Sequence, residues 1–146
     1  LNDSEGYRDG TAYLLGIAGA TARRHWTGML AELDVTPSQF KVIMALTEAG
    51  PRGQRELADM VDIDPRNCVP IIDSLVEREM LSREIDSTDR RRRVLALTSS
   101  GRKLARKLSA VNGKVETDLL DRLSSEERMA LRRILTQILA AATRST

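Results

Sequence analysis

Prolines at positions 37, 51 and 65 constrain this 146-residue chain more than any other feature. Proline starts a helix readily and cannot continue one without losing a backbone bond. Thr36-Pro37-Ser38-Gln39 reads as a helix start, with a threonine N-cap, proline in the first helical position and a glutamine that completes a capping box. Phe40, Ile43, Met44 and Leu46 then form an apolar stripe that Gly50-Pro51 stops. A shorter helix is predicted over Gln54 to Val61, with Leu57, Ala58 and Val61 turned inward. Ile63-Asp64-Pro65 opens the next, with Asp64 as cap, Pro65 first in the helix and Ile63 placed to staple onto Cys68. Cys68, Ile72, Leu75 and Val76 are its expected buried face.

Two short strands are predicted next, Leu81 to Ile85 and Val94 to Leu97, joined by a charged turn over 86–93. Asp86, Ser87, Thr88 and Asp89 are turn formers whose side chains bond nearby amides. Three helices followed by a two-stranded wing, within 36–98, make a winged helix-turn-helix, with Ile63 as the apolar plug of its turn. Long helices flank it. One spans about Thr11 to Leu33, with Leu15, Ala18, Ala22, Trp26, Met29 and Leu33 at helical spacing. Another is capped by Thr98 or Ser99, with Asn112-Gly113 as an expected interruption. A last one starts at the capping box Ser124-Ser125-Glu126-Glu127. The expected fold class is mainly α with a small β-wing, in one domain over 1–146.

Composition narrows the chemistry. One cysteine and one histidine, Cys68 and His25, cannot make an internal disulfide or a thiolate metal cluster. They also fit most nucleophilic enzymes poorly, and no glycine-rich phosphate loop is present. No enzyme, cofactor or metal is expected. No apolar run is long enough to span a bilayer, so a cytoplasmic protein without a membrane partner is the expectation. Net charge is +2, yet it is unevenly placed: residues 1–50 carry 4 Lys/Arg against 6 Asp/Glu, while residues 83–103 carry 7 against 3. A local basic patch on a near-neutral body suits a specific polyanion contact; a solvated loop is the competing reading.

Double-stranded DNA is the polyanion the motif suggests. The helix after Asp64 would lie in the major groove, showing Arg66, Asn67, Val69 and Pro70. Arginine can bond guanine, asparagine can bond adenine and valine can touch a thymine methyl. Pro70 removes an amide inside the helix, so a kink, a looser first turn or packing of its ring on the DNA are all open. On the wing, Asp86 and Asp89 would brace a tip that carries Arg90 and Arg91 into a narrow minor groove. Arg92 and Arg93 should point to opposite faces, at least one of them serving a phosphate or an acidic neighbour. Gln54 and Arg55, and less strongly Ser38 and Lys41, are candidate backbone contacts.

Gln54-x-Glu56-Leu57-Ala58, Asp64-Pro65-Arg66-Asn67, Leu75-x-x-Arg78, Asp86-x-x-Asp89-Arg90-Arg91 and Leu97-Thr98-x-x-Gly101 together resemble the MarR family of bacterial transcriptional regulators. The resemblance implies a homodimer held by the helices over 11–33 and 99–143, bound to a pseudo-palindromic operator. It also implies a crevice for a small aromatic carboxylate whose binding releases DNA, which makes repression the expected mode. Two positions depart from the family pattern: Glu79, where glycine is frequent, and Pro70, where a polar or basic residue is usual.

Arg23-Arg24-His25-Trp26 is the most ligand-like cluster, since arginine can grip a carboxylate, histidine can bond a ring hydroxyl and tryptophan offers an apolar wall. Its competing reading is a core tryptophan flanked by solvated arginines. Two further alternatives stand beside the ligand-responsive regulator. One is oxidant sensing through Cys68, which the periodicity places inside. The other is a winged helix that binds protein instead of DNA.

Overall fold

The computed structural model describes residues 6–143. After a short 3-10 turn at Tyr7–Asp9 come α1 (Thr11–Glu32), α2 (Pro37–Ala49), α3 (Gln54–Met60), α4 (Pro65–Glu77), β1 (Leu81–Ile85), β2 (Arg93–Leu97), α5 (Ser99–Leu120) and α6 (Ser125–Ala142). Among the described residues, six α-helices and a two-stranded antiparallel sheet follow the winged-helix order predicted from the sequence. The described residues form two compact units, one ending at Asn112 and the other starting at Gly113.

In the first unit, the caps set the helix starts. The Thr36 hydroxyl accepts from the Gln39 amide at 3.2 Å and the Gln39 side chain accepts from the Thr36 amide at 3.0 Å. The other end of Gln39 reaches α4, donating to Ser74 Oγ at 3.2 Å. Asp64 accepts from the Arg66 amide at 2.8 Å, with Pro65 first in α4. Behind these starts lies one core: Val42, Ile43 and Leu46 from α2, Leu57 and Ala58 from α3, Cys68, Ile72 and Leu75 from α4, and Leu81 and Leu95 from the wing. Ile63 is only half-buried, and Val61 at the same turn is the more enclosed side chain. Pro70 lies inside α4, which runs unbroken from Pro65 to Glu77. The looser first turn is therefore not what forms; burial of Cys68 and Ile72 on either side of Pro70 holds that stretch helical despite the missing amide.

Helix ends are built from residues that rarely take such shapes. After α1, α3 and α4, the residues Asp34, Asp62 and Glu79 have left-handed φ of 55°, 53° and 57°. The same pair of bonds closes each end, as at α4, where the Glu79 amide donates to the Val76 carbonyl at 2.9 Å and Met80 to Leu75 at 2.8 Å. This is the Schellman stop that normally uses glycine. Glu79 thus takes the strained turn, not an extended helix. Thr98 caps α5, its hydroxyl accepting from the Gly101 amide at 3.0 Å and donating to the Glu79 carbonyl at 2.6 Å.

β1 and β2 pair in the register Leu81 to Leu97 and Ile85 to Arg93. Arg52 adds a short bridge to Leu95, so the α2–α3 loop joins the wing. α1 gives the first unit little cover. Leu30 is buried and Trp26 half-buried against Phe40, edge to face at 5.2 Å, while Leu14, Leu15 and Ile17 are exposed. In the second unit α6 begins at the predicted capping box of Ser124 and Glu127. Arg132 pairs with Glu116 at 3.0 Å, and Ile134, Ile138 and Leu139 are exposed. α5 is continuous through Asn112-Gly113, where the two units meet in sequence. Among the described residues, no helix is long and apolar enough to cross a membrane.

Candidate nucleic-acid interface

α4 buries one side and shows the other. Arg66, Asn67, Val69 and Pro70 are all exposed. The Arg66 side chain is 92% exposed and leans on its own cap, with Nε 3.5 Å from Asp64. One turn beyond Pro70 the same side presents Asp73. A bare carboxylate there would repel DNA, but Arg83 of β1 pairs with it. Sequence reading did not find this contact.

The wing turn is braced by its aspartates. Asp86 Oδ1 accepts from the Thr88 amide at 2.9 Å and the Thr88 hydroxyl at 2.8 Å, and Asp89 Oδ1 accepts from the Arg91 amide at 3.0 Å. The two bonds from Thr88, aided by the nearby Arg92 charge, hold the Asp86 carboxyl below its ordinary pKa of 3.8. Asp86 therefore stays ionised and keeps the turn. Arg90 and Arg91 project from it, exposed, with no side-chain hydrogen bond or ion pair among the described residues. A cation held forward without a protein partner is available to a phosphate or a groove.

Arg92 behaves differently. Of the two options open for it, the acidic neighbour is the one realised. Its guanidinium pairs with Glu56 of α3 and lies 3.9 Å from Asp86. Arg52 grips the same glutamate at 3.2 Å. The fit is close: a Cβ at Gly53 would sit 3.0 Å from Arg92 Nη2. Arg92–Glu56 and Arg83–Asp73 thus clasp the wing to α3 and α4. These partners lie 36 and 10 residues apart, beyond any local pattern. Arg93 is exposed at the start of β2. Arg55 and Lys41 are exposed, and Gln54 and Ser38 half-buried, each at the start of its helix.

The α1 cluster does not assemble. Arg23, Arg24 and His25 are exposed, Arg24 donates to Thr21 at 3.2 Å, and Trp26 turns to Phe40. Neighbours on a helix diverge by about 100°, so these side chains cannot converge without a facing wall. A cavity of about 480 Å³ lies elsewhere, between the end of α2, the wing strands and the first turns of α5. Cys68 is fully buried, and burial pushes its thiol pKa up, away from the thiolate an oxidant sensor needs. Among the described residues, no group of His, Cys, Asp or Glu could hold a metal.

Comparison with known proteins places this geometry. The model described as MarR family matches residues 35–92, which spans α2, α3, α4, β1 and the wing turn. A mutant of S. aureus MepR bound to an oligodeoxyribonucleotide is 23% identical, with a TM-score of 0.69 over 91% of this chain and 98% of that one. A probable transcriptional regulator from Pseudomonas aeruginosa is 25% identical, with a TM-score of 0.65 over 84% and 95%. Bordetella bronchiseptica BpsR, whose DNA binding is regulated by 6-hydroxynicotinic acid, is 22% identical, with a TM-score of 0.68 over 92% and 96%.

Proposed function

We propose that this chain is a transcription regulator of the MarR type, in keeping with the family model that matches residues 35–92, and that it binds duplex operator DNA as a homodimer in the cytoplasm and represses until a small aromatic carboxylate releases it. The observation that carries the DNA reading is the pair Arg90 and Arg91, held forward by Asp86 and Asp89 and left unpartnered among the described residues. α4 supplies base contacts through Arg66, Asn67 and Val69, with the Pro70 ring against sugar or a thymine methyl. Gln54, Arg55 and Ser38 add backbone contacts. Arg92 serves from behind, through Glu56. The DNA-bound MepR neighbour supports the same assignment by analogy of fold.

The homodimer reading draws on the apolar faces that α1 and α6 leave open, with Leu14 54% and Leu139 67% exposed. Such faces are seldom left to water. Two copies would read a pseudo-palindrome with half-sites about one helical turn apart. Ligand response draws on the BpsR likeness and on the cavity between α2, the wing strands and α5.

The decisive experiment is a mobility shift with DNA from upstream of the chain's own gene. The native chain retards it, and Arg91→Ala weakens binding at least tenfold while reducing the salt slope by about 1. If Arg91→Ala binds as the native chain does, the wing assignment fails. A protein-binding winged helix would show no sequence-specific shift at all.

A further inference from the structure

We infer, on the regulator reading above, that Asp73 is a specificity-determining residue: one of its carboxylate oxygens accepts from the N4 amine of a cytosine in each half-site, while Arg83 neutralises its charge. Successive residues of α4 are turned by about 100°. Counted from Arg66, the buried Cys68, Ile72 and Leu75 lie at about 200°, 240° and 180°, so the side facing away from the core is centred near about 30°. Arg66 itself, Pro70 at about 40° and Asp73 at about −20° all fall within roughly 50° of that centre, with Asn67 and Val69 flanking them. If α4 lies in the major groove, Asp73 faces base edges. Arg66 and Asp73 are seven residues apart, about 10.5 Å along the axis or about three base-pair steps.

Most base edges reject a carboxylate. In the major groove guanine shows two acceptors, thymine an acceptor and a methyl, and adenine an acceptor beside its amine. Cytosine alone shows an amine without an acceptor. An ionised carboxylate only accepts, so it selects cytosine and repels the others.

Asp73 has an oxygen free for this. Arg83 Nη2 donates to Oδ1, and Oδ2 carries no hydrogen bond among the described residues. The Asp73 side chain is 55% exposed, so a base can reach it. Arg83 is held firmly from behind. It stands opposite Leu95 in the wing register, and buried Leu95 exchanges both backbone bonds with Arg52, at 3.1 and 2.7 Å. The guanidinium offsets the repulsion between Asp73 and the phosphates and leaves a directional acceptor. Glu77, at the end of α4, has no ion pair among the described residues. Asp73 is therefore the acid on this side that the fold equips for contact, and it lies nearer the N-terminal part of the helix, where base contacts are made.

The test is selection of binding sites from duplexes randomised over about 20 base pairs, with the full chain and its variants. The native chain enriches a cytosine in each half-site, about three base pairs from the guanine whose preference Arg66→Ala relaxes, and changing that cytosine weakens binding about tenfold. Asp73→Asn moves the preference at that one position to adenine, because an amide both accepts and donates, and Asp73→Ala removes it. A carboxylate that only braces the wing would instead lower affinity for every sequence alike. The native chain supplies a second measurement that no folding defect can blur: replacing the cytosine by 2-pyrimidinone, which lacks the N4 amine, weakens binding about tenfold. Unchanged base preference in folded Asp73→Asn, or indifference of the native chain to 2-pyrimidinone, overturns the assignment. A native chain that selects a sequence without this cytosine overturns the assignment alone, whereas one that selects no sequence at all strikes the regulator reading.

Discussion

Replacing Glu56 with glutamine tests how the wing is held. The glutamate sits between Arg52 and Arg92, and the Arg92 guanidinium lies against Gly53. Side-chain exposure is 43% for Glu56 and 47% for Arg92, so water screens the pair. An exposed pair contributes about 0–1 kcal/mol, and the shared geometry of three arginine contacts places this one near the upper end. Glu56→Gln should therefore lower stability by about 1 kcal/mol, a fall in Tm of roughly 2–4 °C. DNA binding then decides between two roles for Arg92. If the clasp orders the tip in advance, its loss weakens operator binding about threefold to tenfold and leaves the salt slope alone. If Arg92 is a phosphate contact held in reserve, freeing it tightens binding and steepens the slope by about 0.9. Ordering in advance is the expected result, because Glu56 and Asp86 already satisfy Arg92 in the free protein. Mobility shifts of Glu56→Gln over a range of salt concentrations measure both quantities, and a tighter, more salt-sensitive complex refutes the argument.

Glu79→Gly should stabilise the chain by about 1 kcal/mol in chemical denaturation, since φ of 57° costs glutamate what it does not cost glycine. Gly101→Ala should destabilise by roughly 2 kcal/mol or more, read from the denaturation midpoint, because its Cβ would stand 2.0 Å from the Met80 carbonyl oxygen. The Asp86 carboxyl has a lowered folded pKa, so its contribution to stability is complete above its ordinary value of 3.8 and is lost as pH falls through the lower folded value. Asp86→Asn keeps an acceptor for Thr88 but cannot titrate, so it should flatten the acid limb of the stability–pH curve relative to the native chain.

Much of the fold was legible because its signals are local. The Thr36 and Ser124 capping boxes and the Asp64-Pro65 start each depend on residues within one turn, and each formed as read. The exposed face of α4 and the braced wing tip were legible for the same reason: period and turn chemistry act between near neighbours. Glu79 could be marked as anomalous, but whether it strained the turn or lengthened the helix depended on Met80, whose amide donates to the Leu75 carbonyl, and on Thr98, whose hydroxyl donates to the Glu79 carbonyl.

What the sequence determined by itself was the order of elements, their starts and the concentration of arginine on one turn, since a few residues of neighbouring chain set those energies. Tertiary structure alone decided which arginines are free. Arg90 and Arg92 look alike in a run of four, yet Glu56, 36 residues from Arg92, takes one and leaves the other. The wing-base cavity is likewise invisible in the chain, because its walls come from α2, both strands and α5. Charge pairing and cavity shape are set by distances through space, and only folding fixes those.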